Sequence, residues 1–223
     1  MNKFRLLATL LVVALCATTI FTSCRNDDDD NGGTFEIRAT NVIGNTGRIA
    51  TVRAVIYDDR DGTLPVGEAA FQNNGFTLPL SNEIPTSFLF PITSDYLFDS
   101  MSIPVDFISD RSARVNGTDW LCAYDRDGNK IGELQLFRSD EDSDESFFVS
   151  WLYVDRNVTA IGTEREESEW ENLELRFNLN LRKGWNTVYW HSSYNESTRT
   201  EIWQFTTQRP SGANLRWEFS SWD

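Results

Sequence analysis

The sequence is poor in the residues from which most catalytic and metal sites are built. It has one histidine, His191, and three cysteines. A zinc site needs several nitrogen and sulfur donors, which one histidine without a cysteine pair cannot supply. Cys16 lies in an apolar leader and Cys24 at its end, so Cys122 is left alone and no intrachain disulfide can form beyond the leader. Cys122 sits in the apolar run Asp119-Trp120-Leu121-Cys122-Ala123-Tyr124 and reads as a small buried hydrophobe rather than a nucleophile. His191 follows Trp190 with no nucleophile elbow elsewhere in the chain, and reads as a surface histidine. Cations are also scarce: 20 Lys and Arg stand against 34 Asp and Glu, a net charge of −14. Such a surface repels phosphate backbones, which argues against nucleic acid as a partner. The longest apolar run, Leu6 to Ile20, is about fifteen residues, short of the roughly twenty a transmembrane helix needs.

That run has another use. Met1-Asn2-Lys3-Phe4-Arg5 carries two cations and no acid, and the apolar stretch after it ends in Phe21-Thr22-Ser23-Cys24. A positive start, a short apolar middle and small residues before the break form an export signal. A cysteine at the break can carry a diacylglycerol. Residues 1–23 are thus expected to be a lipoprotein signal peptide, with lipid on Cys24. Removing them takes away Lys3 and Arg5 and no acid, so the charge moves from −14 to −16. Residues 24–33, which include Asp27-Asp28-Asp29-Asp30, are expected to be an acidic tether, because like charges repel and extend a chain.

The Phe21-Thr22-Ser23-Cys24 box followed by the Asp27–Asp30 run resembles the lipoproteins of Bacteroidetes, in which an acidic stretch after the lipidated cysteine accompanies surface export. The resemblance implies an outer-membrane lipoprotein facing the cell exterior, the periplasmic face being the alternative. The segments Val66-Gly67-Glu68-Ala69-Ala70-Phe71, Tyr124-Asp125-Arg126-Asp127-Gly128-Asn129 and Leu181-Arg182-Lys183-Gly184-Trp185-Asn186 are similar to those of small calycin-like or β-sandwich lipoproteins. That likeness brings no catalytic residues with it.

From Thr34 onward the pattern is one of strands and turns. Thr51–Tyr57, Gly75–Leu80, Lys130–Phe137, Ser146–Val154, Leu173–Leu181, Glu201–Thr206 and Leu215–Phe219 are β-branched, aromatic or alternating. Asp61-Gly62, Asn73-Asn74-Gly75, Asp127-Gly128 and Lys183-Gly184 are turn chemistry. A short helix is expected near Tyr96–Met101. About a dozen antiparallel strands make an all-β sandwich or lipocalin-like barrel. Polar residues near Asp110–Gly117 suggest a seam between a sandwich-like half, 34–112, and a Trp-rich meander or barrel, 113–223. One domain over 34–223 is the alternative.

All eight tryptophans fall in the second half. Trp120, Trp151, Trp203 and Trp217 sit inside strand patterns and are expected in the core. Trp170, Trp185, Trp190 and Trp222 lie near turns or ends, and are the candidate platforms for stacking a sugar ring. Asp58, Asp59 and Asp61, and Asp125 and Asp127, form loops that could donate oxygens to calcium, although Asp-Gly turns are also ordinary hairpin chemistry. Asp99-Ser100-Met101 fits a short O-glycosylation pattern at Ser100.

These features are read as a non-catalytic, lipid-anchored envelope protein that binds a ligand, with glycan the leading class. A structural subunit or adhesin of an envelope complex is the alternative, and a hydrolase is a third reading. No cofactor is expected beyond the calcium option.

Overall fold

A computed structural model of the protein describes residues 34–60, 62–94, 102–139, 145–167 and 172–222. The leader with Cys24, the acidic tether, Asp61, Ser100, Trp170 and the segment expected to hold a short helix lie outside the described residues. Within them the regular elements are strands and three single turns of 3-10 helix.

The strands are β1 Glu36–Ala39, β2 Thr51–Tyr57, β3 Thr63–Ala70, β4 Phe76–Pro79 and β5 Phe90–Pro91. Then come β6 Arg114–Thr118, β7 Leu121–Tyr124, β8 Lys130–Ser139, β9 Glu145–Val154 and β10 Val158–Glu166. The last four are β11 Asn172–Leu181, β12 Gly184–Asn195, β13 Thr200–Thr206 and β14 Arg216–Ser221. The all-β expectation holds. Twelve strands form one curled sheet, a half-barrel, in the order β10-β11-β13-β12-β9-β8-β7-β2-β3. β14 adds to β8, β6 to β9 and β5 to β6, while β1 and β4 pair with each other. β11 and β13 run parallel and the other strand pairs antiparallel.

The curl begins where β8 and β9 part. They pair only over Phe137–Ser139 and Ser146–Phe148. Beyond that point β6 lies along β9 and β7 along β8, joined by the bend at Asp119–Trp120. The approach of β6 to β9 demands glycine: a Cβ at Gly117 would lie 2.6 Å from the Trp151 carbonyl oxygen. At the other side of the molecule, Asn73 and Asn74 both take positive φ (51° and 58°) between Gln72 and Gly75, which exchange main-chain hydrogen bonds. That is the two-residue hairpin the Asn-Asn-Gly motif foretells.

β9 is buried on both faces over Val149–Val154 and β12 over Trp185–Trp190, so neither shows the alternation of a half-buried strand there. Val149, Trp151 and Tyr153 of β9, with Trp185 and Tyr189 of β12, face a first core. Leu152 and Val154, with Val188 and Trp190, face a second. Outer strands feed one core each. β11 sends Leu175, Phe177, Leu179 and Leu181 into the second core. β2 sends Val52, Ala54 and Ile56 into the first. The small β1–β4 sheet closes over the first core. Ile43, just past β1, donates its N–H to the Trp217 carbonyl, and Ser81, just past β4, donates to the Val66 carbonyl of β3.

The expected boundary at residue 112 runs through shared structure. Both cores draw residues from either side of it, and β5 pairs with β6 across it. The polar Asp110–Gly117 segment is tied down rather than free. The Arg114 N–H donates to Asp155 Oδ1 at 2.9 Å, and Arg156 reaches both Asp155 and Ser112. Nearby guanidinium and N–H donors hold the Asp155 carboxyl below the usual range, against the opposing effect of its burial.

Trp151 is fully buried and stacks on Trp217 at a centroid distance of 5.6 Å. Trp151→Ala is expected to lower unfolding free energy by about 3–5 kcal/mol in urea titrations. Ile161→Ala, at a residue 60% exposed, should change it by less than about 0.5 kcal/mol. Equal effects at both positions would contradict a wall packed on both faces.

Candidate functional site

The structure divides the tryptophans differently from their positions in sequence. Trp185 and Trp190, expected as platforms, are buried, and the structure corrects that expectation. Trp185 packs edge-on against Tyr153 and donates its indole N–H to the Ser81 carbonyl at 2.8 Å. Trp190 packs against Phe205 in the second core. Each lies close to the turn at Gly184 in sequence, but β12 passes between the two cores and buries both its faces. Trp151 and Trp217 are core residues as expected. Trp203 is half-buried against the second core, and Trp120, expected inside, is exposed on the β6–β7 bend.

Trp222 remains at the surface, 57% exposed. Its position follows from sheet register. β14 pairs with β8 as far as Ser221 opposite Gly132, and the Trp222 N–H then donates to the Ile131 carbonyl. This sets the indole over the first residue of β8, with Lys130 Nζ 4.2 Å from its centroid. A cation held over an indole face is attracted by the ring quadrupole. The same ammonium lies 3.0 Å from Glu133 Oε1. Burial alone would lower the Lys130 pKa, but its bond to Glu133 and the neighbouring thiol outweigh burial and raise it.

Around this pair lies an aromatic and ionic surface on the face of β2, β7 and β8 turned away from the first core. Tyr57 is 41% exposed, and burial is the first cause that raises its hydroxyl pKa, with Lys130 opposing it and Glu133 adding to it. Tyr124, the register partner of Lys130, lies under the Arg53 guanidinium at 4.3 Å, and Arg53 bonds to Glu68. Cys122 is buried beneath these side chains, outside both cores. Burial pushes its pKa up despite Lys130, so the thiol stays protonated and is a poor nucleophile. The surface can stack an apolar ring face and pair hydroxyls with an ammonium and a carboxylate. Single-residue reading found Trp222. It missed Tyr57, Lys130 and Glu133, which are brought together only by strand register.

The aspartate loops are occupied with their own backbones. Asp58 Oδ1 accepts from the Arg60 and Gly62 N–H groups. Asp125 Oδ1 accepts from the Asp127 and Asn129 N–H groups at 2.9 Å each. Among the described residues no three His, Cys, Asp or Glu side chains come together as a metal-ion site. Asp59 lies in a long 3.9 Å contact with Arg60, and Asp127 uses its backbone rather than its carboxylate in the turn.

His191 is half-buried rather than on the open surface. It stacks flat on Phe147 with centroids 4.3 Å apart, and its Nε2 lies 3.8 Å from Glu145. Burial lowers its pKa more than Glu145 raises it, which keeps the ring neutral at pH 7. On the same face of the sheet, four residues of β10 and β11 line a cleft of about 450 Å³: Thr163, Arg165, Glu174 and Arg176. Comparison of the chain with protein-family models, curated proteins and solved structures finds no match.

The Asp125 carboxyl sits below its ordinary value of 3.8, chiefly because the Asn129 backbone and side-chain amides donate to it. Its contribution to stability is therefore complete above pH 3.8 and lost as pH falls through the lowered value. Asp125→Ala should reduce the melting temperature at pH 7 and abolish that acid dependence, while added calcium should leave the wild-type melting temperature unchanged. A calcium-induced rise removed by Asp125→Ala would instead make the loop a cation site.

Proposed function

We propose that the protein is an exported lipoprotein, anchored in the outer membrane by diacylglycerol on Cys24 and facing the cell exterior, which binds a saccharide without transforming it. One observation carries the binding reading: Trp222 presents an exposed indole with Lys130 and Glu133 beside it. An aromatic face buries the apolar side of a sugar ring, and a few placed polar groups fix its orientation. The export reading rests on the leader, the Phe21-Thr22-Ser23-Cys24 box and the acidic tether. Stable anchoring takes more than one acyl chain, which diacylglycerol provides. The non-catalytic reading rests on the buried, protonated Cys122 and the stacked, neutral His191, neither of which is arranged to activate a nucleophile.

A second reading, a subunit of an envelope complex, draws on the outer edge of β10. Ile108 and Ser109 cover it at Thr159–Ala160, and further along Ile161 is 60% exposed. A partially covered edge strand is a template for pairing with another chain.

The binding reading is tested by recording tryptophan fluorescence and melting temperature of the mature chain against a saccharide panel. A ligand at a hundred times its Kd should stabilise the fold by about 2.7 kcal/mol. Trp222→Ala should abolish the response, and Lys130→Met should weaken it. A response that survives Trp222→Ala, or no response to any saccharide, would turn the search to protein partners. For the anchor, Cys24→Ala should prevent incorporation of labelled palmitate and release the chain from the membrane fraction.

A further inference from the structure

The cleft on β10 and β11 lies on a different strand pair from Trp222 and has its own chemistry. Register places Thr163 opposite Arg176 and Arg165 opposite Glu174. Residues directly opposite on antiparallel strands project from the same face, so these four side chains converge. Glu174 is the centre. Its side chain is only 10% exposed, and its two oxygens accept from Arg165 Nε at 2.7 Å and Arg176 Nε at 2.5 Å. The bonds from both guanidinium groups hold the Glu174 carboxyl below the usual range.

The geometry of those bonds matters more than their number. A guanidinium has five N–H donors in a planar fork. Arg165 and Arg176 each spend the Nε donor on Glu174, which orients the plane and leaves the paired Nη groups at the outer end of each fork. Arg165 and Arg176 remain 70% and 46% exposed, and both line the cleft. Two guanidinium groups against one carboxylate leave an excess positive charge in a chain whose net charge is −14. Thr163 adds a hydroxyl at one side of Arg176, and Gln204, its register partner on β13, adds an amide at the other. A volume of about 450 Å³ is within the range of small-molecule sites.

We propose that this cleft binds the oxyanion of a small polyhydroxylated molecule, a carboxylate or a sulfate, between the Arg165 and Arg176 forks, with Glu174 as the positioning residue. The forks match the planar edge of a carboxylate, or two oxygens of a sulfate, by paired N–H···O bonds. Thr163 and Gln204 serve the neighbouring hydroxyls. The proposal does not depend on saccharide binding at Trp222.

The test is calorimetric titration of the full chain in detergent with glucuronate, glucose 6-sulfate, inorganic sulfate and neutral glucose, at constant ionic strength. Saturable binding of the charged ligands, at least tenfold tighter than glucose, is expected. Preference between glucuronate and the sulfates identifies the oxyanion. Arg165→Lys keeps the charge and removes the fork, so it should weaken binding at least tenfold. Glu174→Gln should also weaken binding, although it removes a negative charge, because the forks lose their anchor. Arg38→Gln, on remote β1, should leave it unchanged. Should Arg176→Gln fail to fold, Arg165→Lys still decides, since Arg165 is largely exposed. Absence of saturable oxyanion binding, equal affinity for glucose, or affinity unchanged by Arg165→Lys would overturn the proposal.

Discussion

The molecule depends on the pairing of β9 with β12. These ten- and twelve-residue strands run antiparallel in continuous register from Gly184–Val154 to Ser193–Glu145. Their side chains supply both cores at once. Trp151, Tyr153, Trp185 and Tyr189 fill the first, and Leu152, Val154, Val188 and Trp190 fill the second. A strand pair with two apolar faces is stable only when both are covered. Ile92, Ile103 and Ile108, with β10, β11 and β13, cover one face, and β1, β2, β4, β7 and β8 cover the other. Interior packing is dense, so a side chain lost from either face of this wall is felt in the core it fills.

The wall also explains where the aromatic residues went. Large rings fill the irregular space where a curled sheet departs from parallel layers. Trp151 and Trp217 stack in the first core, and Phe177 and Phe205, register partners on neighbouring β11 and β13, stack side by side in the second. Their polar atoms help determine which elements meet. Trp185 Nε1 reaches Ser81, Trp217 Nε1 reaches Arg38, and the Tyr153 hydroxyl reaches Asn82. These three bonds link β9, β12 and β14 to backbone carbonyls of Arg38, Ser81 and Asn82 in the first half of the chain. Tryptophan here fastens the small β1–β4 sheet to the half-barrel, and among the described tryptophans Trp222 and Trp120 stand well out of the packing.

The two surfaces of chemical interest both arise from cross-strand register. Lys130 meets Trp222 because β14 ends one residue beyond its pairing with Gly132. Glu174 meets two arginines because Arg165 lies opposite it and Arg176 two residues along the same face. Each surface joins an acid to a base on a rigid sheet. In the first the partner is an aromatic ring, and in the second it is a cleft with spare guanidinium donors. The contrast gives one acidic chain a surface proposed for stacking and another proposed for anions.

Alternation and turn chemistry in the sequence were enough to establish an all-β chain and many of its strands. β8, β11 and β13 are visible in the alternation of one-sided strands, β2 in its β-branched and apolar composition, and the Asn73-Asn74-Gly75 hairpin in its glycine and asparagines. β12 was not visible, because it does not alternate and its Asn186, Thr187 and His191–Ser193 break up the apolar run that marked β9. Trp185 and Trp190 looked like surface residues because they are close to a turn in sequence. Whether such a residue is buried depends on what covers each face of its strand, which local pattern does not encode. The acids and bases were all apparent as residue types, but abundant charges form pairs in any arrangement. Which carboxylate met which cation was decided by tertiary structure alone, because strand register brings together residues far apart in the chain.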